Sequence, residues 1–205
     1  MTDHIVRDLQ SLQSLYGDVN DVSALKEITY LHPHYAAFIK ASPFATLATV
    51  GPHGLDASPR GDPPGFIEIA DEHTLLVADR RGNNRIDSLR NILHDPHVAM
   101  LFLVPGIGET LRVNGTAEIS IDPELIARFT LAGKAPRSVL IVHVESVFFQ
   151  CSRALIRSEL WNPERHLPRS ALPSTGAMLA AVTHDRIDAE TYDRELPPRL
   201  KATLY

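Results

Sequence analysis

Cysteine is nearly absent: Cys151 is the single one in 205 residues. One thiol excludes an internal disulfide framework and fits a reducing compartment. No apolar run approaches the roughly 20 residues that a membrane-spanning helix needs. The opening residues, Met1-Thr2-Asp3-His4-Ile5, lack the basic stretch and apolar run of a secretory leader. These absences predict a cytoplasmic protein with no membrane partner. Lysine is scarce as well, supplying 4 of the 20 basic residues. With a formal net charge of −5, the chain offers no general basic face, which argues against nucleic acid as a partner. It has no Gly-x-Ser-x-Gly elbow, no phosphate loop ending in Gly-Lys-Ser/Thr, and no Gly-x-Gly-x-x-Gly. His32, His34, His94 and His97 have no cysteine or carboxylate at ligand spacing, so no metal centre is expected.

Arginine is plentiful and locally bunched. Arg60 sits in Ser58-Pro59-Arg60-Gly61-Asp62, and Arg80, Arg81, Arg85 and Arg90 fall within residues 79–90. Guanidinium groups on short loops can grip a phosphate by paired hydrogen bonds. In an acidic chain, one such cluster points to a small phosphorylated ligand. The composition, 44% hydrophobic and 22% charged, suits a sizeable core and one domain with appendages.

Periodicity places the elements. Helical spacing of Ile5, Val6, Leu9, Leu12 and Leu15 predicts a helix over residues 3–15. Asp21 is a candidate cap for a second helix reaching about Lys40, broken at His32-Pro33, with Leu25, Ile28, Tyr35 and Ile39 inward. Strands are expected at 44–50, 55–58, 66–70, 74–78, 97–104, 109–121 and 139–151. A helix is expected from about Asn84 to His94, and a short one after the Asp122-Pro123 cap. Residues 175–184 suggest a last helix, and Pro197-Pro198 a tail. Cys151, at the end of an apolar strand, reads as a buried thiol. Mostly antiparallel strands, about six in number, with helices in a few gaps predict a mainly β small closed or split barrel with helical trim.

Each motif admits two readings. Residues 79–90 are a phosphate grip, with Arg85 and Ser88 three apart on a helical face, or a solvated loop. Ser58 and Arg60 alternate to one side of an extended chain, aimed at one ligand, or belong to a turn. Thr110, Arg112 and Asn114 share a face opposite Leu111 and Val113, either lining a ligand site or meeting solvent. Trp161, near Arg157, covers an aromatic ligand or simply packs.

Taken together, the hairpin, Ser58-Pro-Arg-Gly-Asp-Pro-Pro-Gly65, Asp79-Arg-Arg-Gly-Asn-Asn-Arg-Ile-Asp-Ser-Leu-Arg-Asn-Ile92, Asp95-Pro96, Leu101-Phe-Leu-Val-Pro-Gly106 and Glu109-Thr-Leu-Arg-Val-Asn-Gly115 resemble the pyridoxamine 5′-phosphate oxidase-related, FMN-binding split-barrel proteins. The likeness is closest to the subgroup of uncharacterised FMN-dependent flavoproteins and spans about residues 40–165. It implies a six-stranded antiparallel split β-barrel that binds FMN at a homodimer interface and acts on a small-molecule substrate as an oxidoreductase. It also implies a division into an N-terminal helical segment (1–40), an FMN-binding barrel (41–165) and a C-terminal extension (166–205). By position, Ser58 and Arg60 correspond to a strand end along the flavin edge and phosphate, and Ala78, Asp79 and Arg80 to the next strand end beside the ring. Asn84, Arg85 and Ser88 correspond to the phosphate-gripping helix start, and Thr110 and Arg112 to the flavin's pyrimidine end. Arg157, Ser158 and Trp161 correspond to a contribution from the partner subunit. Asn84-Arg85 and Ser88 replace the Arg-Lys pair of the true pyridoxamine phosphate oxidases, and their C-terminal substrate signature is missing. A flavin-storage module and a haem-binding relative of the same barrel are the alternatives.

Overall fold

The computed structural model describes residues 4–204. Its strands are β1 Phe44–Gly51, β2 Gly54–Gly61, β3 Ile67–Asp71, β4 Thr74–Ala78, β5 His97–Leu103, β6 Thr110–Ser120 and β7 Val139–Gln150. They form one sheet in the order β2-β1-β5-β6-β7-β4-β3, and every neighbouring pair is antiparallel. The count is seven where about six, and by resemblance a six-stranded barrel, were expected; each of the seven ranges expected from the sequence pattern holds a strand. Residues 67–71 pair with β4 as the expected hairpin and form the sheet's far edge. Among the described residues no ladder joins the two edge strands, β2 and β3.

Alternation builds the core. Side chains on successive strand residues point to opposite faces. Ala45 and Leu47 of β1, Met100 and Phe102 of β5, Leu111 and Val113 of β6, and Val142 and Val147 of β7 therefore meet in one buried cluster. Each such aliphatic side chain contributes about 1.5–3 kcal/mol by leaving water. Strand β4 is buried on both sides. Leu75 and Val77 join the main cluster, whereas Leu76 and Ala78 meet Phe129 and Val139 in a second one. Helix α5 (Pro123–Arg128) covers that second cluster, capped by Asp122 as expected.

The helices depart more from expectation. Helix α1 spans Leu9–Tyr16, capped by Asp8. Ile5 and Val6 precede it, and residue 3 lies outside the described residues. Helix α2 is Asp21–Leu25 and takes its cap from Asn20, not Asp21, since the Asn20 side chain accepts from the Val22 N–H. Leu25 is exposed, not inward, because the chain leaves the helix there and bridges Ile28 to Val147 of β7. Helix α3 (Pro33–Ala41) starts at the His32 cap and buries Ile39. Near the end, α6 (Arg153–Ser158), α7 (Thr175–Thr183) and α8 (Ala189–Ala202) follow. Pro197 and Pro198 lie inside α8 and not in a tail. The first half of α8 is anchored on α7, where the Gly176 N–H donates to Asp193 Oδ1 at 2.7 Å. Cys151 falls just past the end of β7 and is exposed, so the buried thiol is corrected.

Candidate functional site: a cleft between the flanks of the sheet

A cleft of about 760 Å³ lies between β2 and the end of β4. These strands stand on opposite flanks of the sheet order, so the sheet curls until its flanks face each other. A clasp holds them. Arg80 Nε donates to Asp62 Oδ2 at 2.9 Å, and Arg80 Nη1 donates to the Phe129 carbonyl at 2.6 Å. The Asp62 side chain is only 4% exposed. Arg80, expected beside a ring, therefore ties the ends of β2 and β4 to α5.

One wall comes from β2. This strand runs through Arg60 to Gly61, so Ser58-Pro59-Arg60 is extended chain and not a turn. Ser58 and Arg60 share a side, and Arg60 Nη1 donates to Ser58 Oγ at 2.7 Å and to the Pro59 carbonyl at 2.9 Å. Burial draws the guanidinium pKa below its ordinary value, and the Asp79 and Asp56 charges oppose that shift. The facing wall carries Ala78 and Asp79. The Asp79 N–H donates to the Ser138 carbonyl at 2.9 Å, continuing the β4–β7 pairing beyond Ala78. Burial pushes the Asp79 carboxyl above the usual carboxylate range, while Arg60 and Arg137 pull the other way.

The floor and rim come from residues 80–88. Helix α4 spans Asp87–His94, three residues later than the expected start at Asn84. The Arg85 N–H donates to Asn83 Oδ1 at 3.0 Å, and Asn84 and Ile86 have φ of 60° and 53°. This left-handed loop interrupts the helical pattern, so Arg85 and Ser88 do not share a helical face. Ser88 is buried beneath the cleft. Arg85 stays on the rim, its side chain 74% exposed and its Nε donating to Asp87 Oδ2 at 2.7 Å. Helix α4 is seated on β1 through Ile92 and through Asn91, whose Nδ2 donates to Thr49 Oγ1 at 3.0 Å. A Cβ at Gly51 would collide with the Asn91 side chain, so glycine there makes room for this seat.

Of the expected site residues, Ser58, Arg60, Ala78, Asp79, Arg80, Asn84, Arg85 and Ser88 line the cleft, and Thr110, Arg112, Arg157, Ser158 and Trp161 do not. Thr110, Arg112 and Asn114 do share the less buried face of β6 opposite Leu111 and Val113. The Arg112 guanidinium lies 5.3 Å from the Phe148 ring centroid. Trp161 Nε1 donates to the Ile107 carbonyl at 2.8 Å, and Ser158 Oγ to the Leu155 carbonyl at 3.2 Å.

Several cleft residues were not expected from the sequence, Asp56, Arg137 and Ser138 among them. Arg137 lines the cleft and donates from Nη1 to Asn84 Oδ1 at 3.2 Å. Only the register Ala78↔Val139 brings it near Asp79. A lone arginine after Pro136 carries no local signal of that kind.

Solved structures similar to the chain include HupZ of Group A Streptococcus, at 24% identity over 57% of this chain and 90% of that one, with a TM-score of 0.46. An F420 reductase matches at 25% identity over 57% and 97%, with a TM-score of 0.43. General Stress Protein 26 from Bacillus anthracis str. Sterne matches at 20% identity over 56% and 88%, with a TM-score of 0.42. No curated protein matches the sequence. The family profile described as pyridoxamine 5′-phosphate oxidase matches residues 31–151. That span holds all seven strands and both walls of the cleft, and it covers more than half of the sequence: the chain belongs to the pyridoxamine 5′-phosphate oxidase family.

Proposed function

We propose that the cleft binds FMN and that the protein is a flavin-dependent oxidoreductase acting on a small organic substrate. The observation that carries this reading is the pair Arg60 and Arg137. Both line the cleft, and neither has a carboxylate within ion-pair distance among the described residues. Guanidinium groups left without an ion-pair partner in a cleft suit an incoming phosphate. The volume falls within the roughly 300–1,000 Å³ of small-molecule and cofactor sites, and the donors match FMN in kind. Arg60, Arg137 and Ser88 would take the phosphate, with Arg85 swinging in from the rim once it leaves Asp87. Ser58 and the chain at Ala78 and Asp79 would follow the ring.

Bound FMN supplies hydride or electron transfer. The chain's own part is to bind and orient. Arg60 and Arg137 set positive charge against the phosphate, and the Arg80–Asp62 clasp keeps the two walls at a fixed separation. Thr110, Arg112, Arg157, Ser158 and Trp161 stand outside a single chain's cleft, and in this reading they complete the cleft of a second copy in a homodimer. Residues 41–165 then carry the FMN site, preceded by an N-terminal helical segment, 1–40, and followed by a C-terminal extension, 166–205, that packs on the barrel or on the dimer partner.

The visible spectrum of the purified protein, with the released cofactor identified by mass, tests the reading. Flavin absorption and an FMN mass are expected. A colourless protein that takes up no FMN in excess overturns it. Arg60→Ala is expected to weaken FMN binding by about 1–3 kcal/mol, the scale of a charge-assisted hydrogen bond. Unchanged affinity would remove Arg60 from the phosphate site.

A further inference from the structure

The Asp79 carboxyl stands in the cleft beside the two arginines assigned to the phosphate. Among the described residues it makes no ion pair, and its one hydrogen bond in the cleft wall is made by its backbone, to Ser138. Its charged surroundings come from three sides. Strand β2 presents Arg60 and Asp56, and the approach to β7 presents Arg137. The 80–88 segment presents Arg80, tied to Asp62, Arg85, tied to Asp87, and Arg81 on the exposed loop. Arg60 and Arg137 are thus the cations that favour the Asp79 carboxylate, against the larger effect of burial.

A phosphate entering this cleft takes those same two guanidinium groups. It also brings up to two negative charges close to a carboxylate already short of water. Like charge and desolvation both favour the neutral acid. We propose that the cleft takes its phosphorylated ligand together with one proton from solvent, which comes to rest on the Asp79 carboxyl. The neutral acid then donates a hydrogen bond where the carboxylate would repel. This rests on FMN as the ligand. The sign follows directly. Affinity is highest where Asp79 is already protonated, and it falls as pH rises through the carboxyl's pKa in the bound state.

Calorimetric titration of the flavin-free full chain with FMN, in buffers of differing ionisation enthalpy between pH 5 and 8, counts the protons. Wild-type protein is expected to take up more protons than Asp79→Asn, by up to one per FMN. Asp79→Asn is expected to bind FMN about tenfold more tightly at pH 8, the factor for one pKa unit of coupling. Equal proton counts, or weaker binding by the variant, overturn the inference while leaving FMN as the ligand. Failure of both proteins to bind FMN overturns the ligand reading and the inference with it. If Asp79→Asn does not fold, wild-type protein decides by comparing FMN with riboflavin, which lacks the phosphate. Proton uptake with FMN alone supports the coupling, since the free phosphate's own titration would release protons. Equal uptake with both ligands refutes it.

Discussion

His97 Nδ1 lies 2.6 Å from Asp95 Oδ1, and this hydrogen bond raises the imidazole pKa while backbone and side-chain donation from His97 lowers that of Asp95. The two shifts define a window. The raised His97 contributes stability that is full below the ordinary histidine value, about 6.5, and is lost as pH rises through its folded pKa. The lowered Asp95 contributes stability above the ordinary carboxylate value, about 3.9, and loses it as pH falls. The pair therefore helps most between those values, and modestly, because it is solvent-exposed. In an NMR titration His97 is expected to titrate above the ordinary histidine value and to return toward it in Asp95→Asn. An unshifted His97 in wild-type protein would refute the contact. Cys151 gives a second residue-scale test. Exposed beyond β7, it is expected to react fully with a thiol reagent in the native protein. Protection until denaturation would contradict its placement. Its sequence context, an apolar strand running to its doorstep, could not reveal on which side of the strand's end it falls.

At the scale of elements, the clasp between β2 and β4 is the contact on which the cleft's width depends. Asp62 is nearly buried and Arg80 is partly exposed. Losing the acid leaves Arg80 facing a poorly solvated gap, so Asp62→Ala is expected to cost about 1–3 kcal/mol in denaturant unfolding. FMN affinity should fall with it as the walls separate. A stability change within about 0.5 kcal/mol, the usual range for a surface site, would demote the clasp to decoration. The strands were legible because alternation is a local signal. β4 was found as an apolar run, and its double burial explains why it does not alternate. Helix starts were less legible. Asn84 was the expected start of α4, yet it adopts a left-handed turn and the helix begins at Asp87 without a side-chain cap; at α2, Asn20 takes the cap expected of Asp21. Neighbouring polar residues compete for one capping role, and side-chain geometry settles which wins. Arg137 was invisible for a different reason: its place is a property of strand register, which no local pattern encodes.

On the scale of the whole molecule, the sheet leaves one face thinly covered. Leu101 and Leu103 of β5 and Phe148 of β7 are only partly buried on it, and Leu9, Leu12, Leu15 and Leu25 stand exposed on the first two helices. Apolar area of this kind commonly marks a protein–protein contact. A homodimer is expected by light scattering, with Arg112→Glu, set amid that face, shifting the mass toward monomer. A monomer that retains full FMN affinity would contradict a shared site. The strand order also governs how the cleft comes into being. Its two walls belong to hairpins, β1–β2 and β3–β4, that are separately local. They can face each other only after β5, β6 and β7 have been laid down between them. Pairings so distant along the chain form slowly. The ligand-competent shape is thus absent from partly folded chains, and whatever binds there can act only on the finished protein. It will lengthen the native lifetime by retarding unfolding and leave the rate of folding untouched.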